Sequence, residues 1–317
     1  MKVKASNNDI LITGAGGWLG SELTEQLLAQ GKSVRAINFI YTERLENLKK
    51  KYGEKLNIII GDICNNELIK KELQGVKVVY HLAAKVHAIP TNQKEEEDFF
   101  RVNSKATEEL FKQCIINNVD RVIFFSTVSV YKTTNEKITL NTAKEPDTIY
   151  GKSKLEAEKI ANKMYNEQQL PVTIIEPVTV YGEGDVGNFK KLENLIKKGL
   201  CIKFGNGNNK KTVIYYRDLI KMVIEIAQNN AMIGKTVICG TEVLTLNEIN
   251  DILIKSSAKR VIKITIPMWL TNITIKLCSI SILKKIKRKI IALTQNNEFE
   301  IENNLNSYTK FKEYELK

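Results

Sequence analysis

Ile10-Leu11-Ile12-Thr13 runs straight into Gly14-Ala15-Gly16-Gly17-Trp18-Leu19-Gly20, and Ser21-Glu22-Leu23-Thr24-Glu25-Gln26-Leu27-Leu28 follows. The first four residues, apolar or β-branched, read as a buried strand. Leucines at 23, 27 and 28 have the spacing of an amphipathic helix. Between the two, Gly14 permits a tight turn, Gly17 lets main chain approach a pyrophosphate, and Gly20 lets the helix pack on the strand. The helix start adds backbone N–H groups and the positive end of its dipole. Three glycines alone also make a plain turn. Set between a buried strand and a helix, at the head of an alternating pattern, they point to a bound dinucleotide.

Outward from this stretch, residues 33–37, 56–60, 76–82, 122–126 and 172–175 read as further buried strands. Residues 20–30, 41–51, 99–117 and 153–168 read as helices. The alternation predicts an α/β fold, a doubly wound parallel sheet (Rossmann) with its ligand at the carboxyl ends of the strands. After Pro177 the pattern loosens. Gly182, Gly184 and Gly187 form a loop, 189–198 a helix, and 211–228 with 236–239 a helix and strand that return to the first domain. The expected division is a dinucleotide-binding domain of residues 1–176 with 212–240, and a smaller substrate-binding domain of 177–211 with 241–317. The tail after Phe299 reads as a short final element.

The 317 residues, 43% hydrophobic and 26% charged, suffice for one large or two ordinary domains with a sizeable core. Five scattered cysteines and two histidines make neither a disulfide framework nor a metal site, so no metal and a reducing cytoplasm are expected. The first residues lack the apolar stretch of an export signal. The net charge of +12 is spread over short runs at Lys49 to Lys51, Lys197-Lys198, Lys210-Lys211 and Lys284 to Lys289. Without a nucleic-acid motif these read as solvated faces, one pair being reserved for an anionic ligand, and no nucleic-acid partner is expected. Residues 261–293 are apolar and basic, but the longest uncharged stretch, 264–275, is too short to span a bilayer. No transmembrane segment is expected; packed helices, or weak peripheral membrane contact through Lys276, Lys284, Lys285 and Lys287, fit the pattern.

Tyr150-Gly151-Lys152-Ser153-Lys154 opens a helix, and its tyrosine and lysine, four apart, share one face. A phenol near its ordinary value of about 10 is a poor acid–base catalyst at neutral pH. An adjacent ammonium and a cationic nicotinamide pull that value down. Phe125-Ser126-Thr127 ends the preceding strand and sets a hydroxyl where this fold places ligands. The three residues point to hydride and proton transfer at a hydroxyl or ketone. At the end of the second strand, where an acid would hold the ribose, stands Asn38. An amide still bonds a hydroxyl but does not repel a 2′-phosphate, which leaves NADP or NAD open, with Arg35 and Arg44 near in sequence.

Thr13 to Gly20, Gly61-Asp62, His81-Leu82-Ala83-Ala84, Val102-Asn103, Ser126 to Tyr131 and Tyr150 to Lys154 together resemble the extended short-chain dehydrogenases/reductases, the NAD-dependent epimerase/dehydratase family. The resemblance implies that Thr127 holds the substrate oxygen, that Tyr150 is the acid/base and that Lys154 bonds the nicotinamide ribose. It places Gly14, Gly17, Trp18, Leu19, Gly20 and Asn38 around the phosphates and ribose, and Asp62 and Ile63 at the adenine. Leu82, Ala83, Ala84 and Asn103 line the cofactor, and Pro177 lies beside the nicotinamide. Gly182 to Phe189 and Gly205 to Leu219 resemble segments that hold a nucleotide diphosphate in sugar-nucleotide enzymes. Asn188, Phe189 and Lys211 are the implied substrate contacts, and His87 either reaches the substrate or supports the site from behind. His81 reads as structural.

The departures narrow the chemistry. Dehydratases of the family carry Asp-Glu after the catalytic Thr; here Val128-Ser129 stand there. UDP-hexose 4-epimerases usually carry Asn at Thr179, Arg at Glu176 and an acid at Asn38. The stretch from His81 to His87 and Gly187-Asn188-Phe189 are more similar to 4-ketoreductases of deoxysugar biosynthesis. The reading therefore leans to NADPH-dependent 4-keto reduction of a nucleotide-activated hexose (a UDP-sugar), with NAD-dependent 4-epimerisation as the alternative. Non-nucleotide ketones are reduced by related chains with the same residues. A non-catalytic NAD(P)-sensing regulator is disfavoured because the Tyr–Lys pair is kept. A homodimer is implied by the resemblance alone.

Overall fold

The computed structural model describes residues 9–86, 90–185, 187–257, 259–270, 294–301 and 308–314. The chain opens with β1 (Ile10–Thr13), α1 (Trp18–Ala29), β2 (Val34–Asn38), α2 (Glu43–Tyr52), β3 (Leu56–Ile60), α3 (Asn66–Glu72) and β4 (Val78–His81). Then α4 (Gln93–Phe100) passes through a π-helical turn at Arg101–Lys105 into α5 (Ala106–Ile116), before β5 (Arg121–Phe125), α6 (Ile149–Gln168) and β6 (Val172–Pro177). The elements described after it are β7 (Thr179–Tyr181), α7 (Asn188–Lys197), β8 (Leu200–Phe204), β9 (Lys210–Tyr215), α8 (Tyr216–Gln228), β10 (Thr236–Cys239), β11 (Glu242–Thr245), α9 (Leu246–Lys255) and β12 (Ile262–Ile266). Two compact units result. The first is Met1–Tyr131, Lys144–Pro177 and Ile220–Val237; the second is Lys132–Ala143, Val178–Leu219 and Ile238–Lys317.

The seven-stranded sheet has the order β3-β2-β1-β4-β5-β6-β10, and the pairs from β3 to β6 are parallel. β1 pairs with β2 on one side and β4 on the other, so successive crossovers diverge at its carboxyl end. In such sheets that divergence opens the ligand crevice. All four residues of β1 are buried, as a strand covered on both faces requires. The core beneath runs through Leu11, Val79, Leu110, Phe124 and Ile174.

Local chemistry explains the helix starts. Thr42, Asn65, Asn92 and Thr148 each accept a hydrogen bond from a main-chain N–H in the first turn of α2, α3, α4 and α6. Seven-residue α3 has too few turns to show periodicity in the sequence, and only its Asn65 cap signals it. Thr148 starts α6 four residues before the expected 153, which puts Tyr150 inside the first turn. Along α6 the buried positions are Gly151, Ser153, Lys154, Ala157, Glu158, Ala161 and Met164, one helical face that includes two charged residues. The expected helix over 211–228 begins only at Tyr216. Residues Lys210–Tyr215 form a strand instead, because β-branched Thr212, Val213 and Ile214 favour a pleated, buried position.

In the second unit β9 lies between β11, antiparallel to it, and β7, parallel to it; β8 and β12 form a separate parallel pair. Tyr181, Phe189, Val213, Leu253, Phe311 and Tyr314 are core residues of this unit. Residues Lys132–Ala143 belong to this unit, where Ile138 bridges to Phe299. The tail is tied down too. The Phe311 N–H donates to Glu242 Oε2 at 2.6 Å and the Tyr314 hydroxyl to Glu193 Oε1 at 2.6 Å.

Cys64, Cys114, Cys201 and Cys239 are free thiols, and no group of three or more potential metal ligands occurs among the described residues. Cys278 and the basic residues from Lys276 to Lys289 lie outside the described residues, as does most of the stretch weighed for membrane contact. No described helix is long and apolar enough to cross a membrane. The lysine run at Lys49 to Lys51 is used locally. Lys49 Nζ bonds the carbonyls of Gly53 and Leu56 beyond α2, Lys50 pairs with Glu46, and Lys51 with Glu25.

Candidate active site

The glycine loop has the geometry that a pyrophosphate cradle needs. Gly14 sits at φ +73°, and a Cβ there would lie 2.7 Å from the Ala83 nitrogen. A Cβ on Gly20 would lie 2.1 Å from the Gly14 carbonyl oxygen, so only hydrogen lets α1 start this close to β1. Exposed Gly17 caps α1 without a side-chain hydrogen bond, and the first turn, beginning at Trp18-Leu19, holds no acid that would compete with a phosphate. Gly16, not singled out in the sequence, is equally constrained, since a Cβ there would meet the Asn38 amide at 2.6 Å.

At the ribose end, Asn38 Oδ1 accepts from the Gly16 N–H at 3.1 Å, and its Nδ2 donates to the Ile40 carbonyl at 2.8 Å. The amide thus ties the end of β2 to the glycine loop. Arg35 is committed elsewhere, its guanidinium donating to the carbonyls of Glu72 at 2.7 Å and Gln74 at 2.9 Å. Of the two arginines that the sequence offered to a 2′-phosphate, Arg35 is thus committed to main chain, and Arg44 lies exposed in the first turn of α2. Asp62 is half-buried, accepts from the Cys64 N–H at 3.0 Å and lies 3.5 Å from Arg101; Ile63 is buried in the core.

Past β4, Leu82, Ala83 and Ala84 are half-buried. The Ala83 N–H donates to Thr13 Oγ1 at 3.2 Å, which lies 2.7 Å from His81 Nδ1. On the other side, His81 Nε2 lies 2.8 Å from Thr107 Oγ1, which donates to the Asn103 carbonyl at 2.9 Å. With Thr107 already donating onward, Nε2 carries the proton and Nδ1 accepts from Thr13. Burial pushes His81 down to about 3, so it is a neutral strut. Asn103, buried in the π-helical turn, accepts from the Lys85 N–H at 2.7 Å and donates to the Lys85 carbonyl at 3.0 Å and Ser153 Oγ at 2.9 Å. Its amide pins the loop after β4 to α6 and is spent on the protein, not left for a cofactor.

Thr127, Tyr150 and Lys154 come together in the first unit. Thr127 Oγ1 accepts from the Ser129 N–H at 3.1 Å and is hydrogen-bonded to the Tyr150 hydroxyl. Burial raises the Tyr150 phenol to about 12, and the Thr127 hydrogen bond offsets part of that. Lys154 is 2% exposed, with its ammonium 4.2 Å from the centre of the Phe124 ring. Burial drags it down to about 7, opposed by the charge of Glu158. The sequence assigned the easing of the phenol to an adjacent ammonium and a cationic nicotinamide; in the protein alone the Thr127 hydroxyl also favours the phenolate. Gly151, between the pair, went unnoticed in the sequence. A Cβ there would lie 2.2 Å from the Ser129 carbonyl oxygen, so it sets how closely α6 meets the Thr127 loop. Half-buried Pro177 ends β6.

His87 lies outside the described residues. Asn188 opens α7, and Phe189 is buried, its ring 5.5 Å from Tyr181 and 5.3 Å from Phe311. The Phe189 ring serves the core of the second unit, so its contact with a substrate would be made by main chain. Lys211 is half-buried on β9, where its ammonium donates to the Gln295 carbonyl at 2.8 Å, and burial lowers it to about 8.

The sequence also left unread a buried cluster beside α6. Ser126 donates to Glu158 Oε1, and Lys144 lies 2.6 Å from Glu158 Oε2 and 2.5 Å from Glu176 Oε1. Glu158 stands four residues after Lys154, a spacing that was legible; Glu176 stood out only as a departure from related epimerases, and Lys144 carries no local signal.

The sequence model of the NAD dependent epimerase/dehydratase family matches residues 10–240. An uncharacterized UDP-glucose epimerase of Bacillus subtilis is 31% identical over 245 residues, 73% of this chain and 76% of that protein. A UDP-glucose 4-epimerase of Vibrio cholerae is 28% identical over 274 residues, 82% of this chain and 79% of its own. Among solved structures, a UDP-glucuronic acid 4-epimerase from Bacillus cereus in complex with NAD superimposes with a TM-score of 0.72 at 27% identity, covering 81% of this chain and 86% of that one.

Proposed function

The chain belongs to the NAD dependent epimerase/dehydratase family, and from that premise we propose that it inverts C4 of a UDP-activated hexose with a retained NAD. The observation that carries the choice of cofactor is Arg35, whose guanidinium is tied to the Glu72 and Gln74 carbonyls and so withdrawn from any 2′-phosphate. Relatives that are 4-epimerases support the same choice of reaction.

The residues fit the dinucleotide. Gly14 and Gly20 clear space for its pyrophosphate at the start of α1, Asn38 stands at the ribose, Asp62 and Ile63 at the adenine, and Ala83, Ala84, Lys154 and Pro177 towards the nicotinamide. When bound, that ring supplies the acceptance and return of a hydride. The chain supplies the proton chemistry. Thr127 holds the substrate oxygen by hydrogen bonding, Tyr150 takes the proton from that oxygen and gives it back, and Lys154 keeps a positive charge beside the phenolate. In the second unit, Lys211 would neutralise the diphosphate, with Asn188 and the main chain of Phe189 beside it.

The test is direct. Protein purified without added cofactor should release NAD(H) on denaturation and should interconvert UDP-glucose and UDP-galactose, or their glucuronic acid or N-acetyl counterparts. A freely exchanging cofactor and stoichiometric use of NADPH would instead establish the second reading, 4-keto reduction, which uncharged Asn38 favours.

Two further expectations follow from the geometry. Asn38→Asp keeps the acceptor for the Gly16 N–H but sets a carboxylate against the Ile40 carbonyl and any 2′-phosphate. It should move preference towards NADH, by order 1 kcal/mol or more against NADPH; dissociation constants for both reduced cofactors decide. Lys211→Ala should weaken UDP binding by about 1.5–3 kcal/mol and leave NADH affinity unchanged. With an ammonium that titrates near 8, wild-type UDP binding should weaken as pH rises from about 7 to 9, because the charged form is lost across that window. Calorimetry reads both, and a wild type with no affinity for UDP would remove the UDP-sugar assignment.

A further inference from the structure

We propose that Glu158, anchored by Ser126 and Lys144, is a positioning residue that keeps Lys154 charged beneath Tyr150. The proposal rests on the catalytic assignment above and adds a group to it. Three chain segments that carry site residues meet at the buried cluster. Ser126 immediately precedes Thr127, Glu158 lies one helical turn beyond Lys154, and Glu176 immediately precedes Pro177. The side chains of Glu158 and Glu176 are 1% and 0% exposed, and the one ammonium between them, Lys144, bonds both.

Two buried carboxylates sharing one cation do not both stay ionised comfortably. The two are not equivalent. Glu158 accepts from Ser126 as well as Lys144, hydrogen bonds that favour its anion. Glu176 accepts from Lys144 but lies deeper and near the Glu158 charge, and these two causes push it up to about 7 against the pull of Lys144 and Tyr131. Of the two, Glu176 is therefore the carboxyl that takes up a proton more readily, and the charge proposed to act on Lys154 is that of Glu158.

That charge is placed where Lys154 needs it. Around Lys154 are Tyr150 and Glu158 on its own helix, the Phe124 ring of β5 at 4.2 Å, and His81 of β4, which burial keeps neutral. Of these, Glu158 supplies the anion. Around Glu158 stand Ser126 from the end of β5, Lys144, and Glu176 of β6 with its Tyr131 neighbour. Without the Glu158 charge, burial would strip Lys154 of its proton in the neutral range and leave the phenolate without a cation.

The measurement is the titration of Lys154 by NMR, in protein carrying 13C at the lysine ε position, with the resonance assigned by loss in a Lys154→Met variant. Glu158→Gln and Glu176→Gln each replace one carboxyl partner of Lys144 by an amide of the same shape. Glu158→Gln should titrate Lys154 about one pH unit lower, a tenfold loss of proton affinity, and Glu176→Gln should leave it within about a third of that. If Gln at 158 prevents folding, Asp and Asn there form an equivalent pair, with Asp keeping the wild-type titration and Asn lowering it. An unmoved titration in the Glu158→Gln or Asn variant overturns the proposal, as does an equal shift in Glu176→Gln. The readout needs no substrate, so a chain inactive on every UDP-sugar would overturn the proposed reaction and leave this result readable.

Discussion

Tyr150→Phe is expected to cut turnover by roughly 10²–10⁴-fold, the usual share of positioned acid–base catalysis. Only a hydroxyl is lost, and the helix that carries it is capped by Thr148 and pinned through Ser153 to Asn103, so fold and cofactor affinity should survive. The loss should be in kcat more than KM, because Thr127 still holds the substrate oxygen. With the phenol pushed up to about 12 in the protein alone, wild-type activity should also depend on bound cofactor and Lys154 to make the phenolate accessible. A Phe variant with near wild-type turnover at neutral pH would remove Tyr150 from the reaction.

Lys154→Met should show the reverse of a structural mutation, with less activity and a more stable fold. Turnover should fall by roughly 10²-fold or more, since the cation beside Tyr150 is gone. Burial holds the folded lysine near 7 against 10.5 in the unfolded chain. Below pH 7 the residue is charged in both states and its burial cost stands in full. Between 7 and 10.5 the folded state gives up its proton first and the cost fades; above that it is absent. The cofactor-free variant should therefore exceed wild type in stability by about 2–4 kcal/mol at neutral and acid pH, the gap closing towards pH 10. Denaturant unfolding at pH 6.5 and 10 checks both ends. A variant less stable than wild type at pH 6.5 would contradict the account of Lys154.

The strand, glycine loop and helix from Ile10 to Leu28 were legible because each signal lies within a few neighbouring residues. So was the Tyr150–Lys154 pair, which needs only helical spacing, and Thr127, which needs only the end of a strand. Where a segment was short or its register ambiguous, reading failed, as with α3 and the strand Lys210–Tyr215. Sequence spacing gave no sign that the Lys154 ammonium is stacked over Phe124 or that the Thr127 hydroxyl also bears on the Tyr150 phenol.

By itself the sequence determined the parallel sheet and singled out the glycine turn and the three residues, Thr127, Tyr150 and Lys154, to which we assign the proton chemistry. Backbone freedom at glycine, strand and helix periodicity, and one-turn spacing are properties of contiguous chain. Only the tertiary structure decided that Arg35 serves the Glu72 and Gln74 carbonyls, that the Asn103 amide is consumed by Lys85 and Ser153, and that Phe189 belongs to a core. It also decided that Ser126, Lys144, Glu158 and Glu176, spread over fifty residues of chain (126 to 176), share one buried site. The physical reason is the range of the forces. A hydrogen-bond partner or a displaced pKa depends on which distant segments the fold packs together and how much water they exclude, and no local pattern records either.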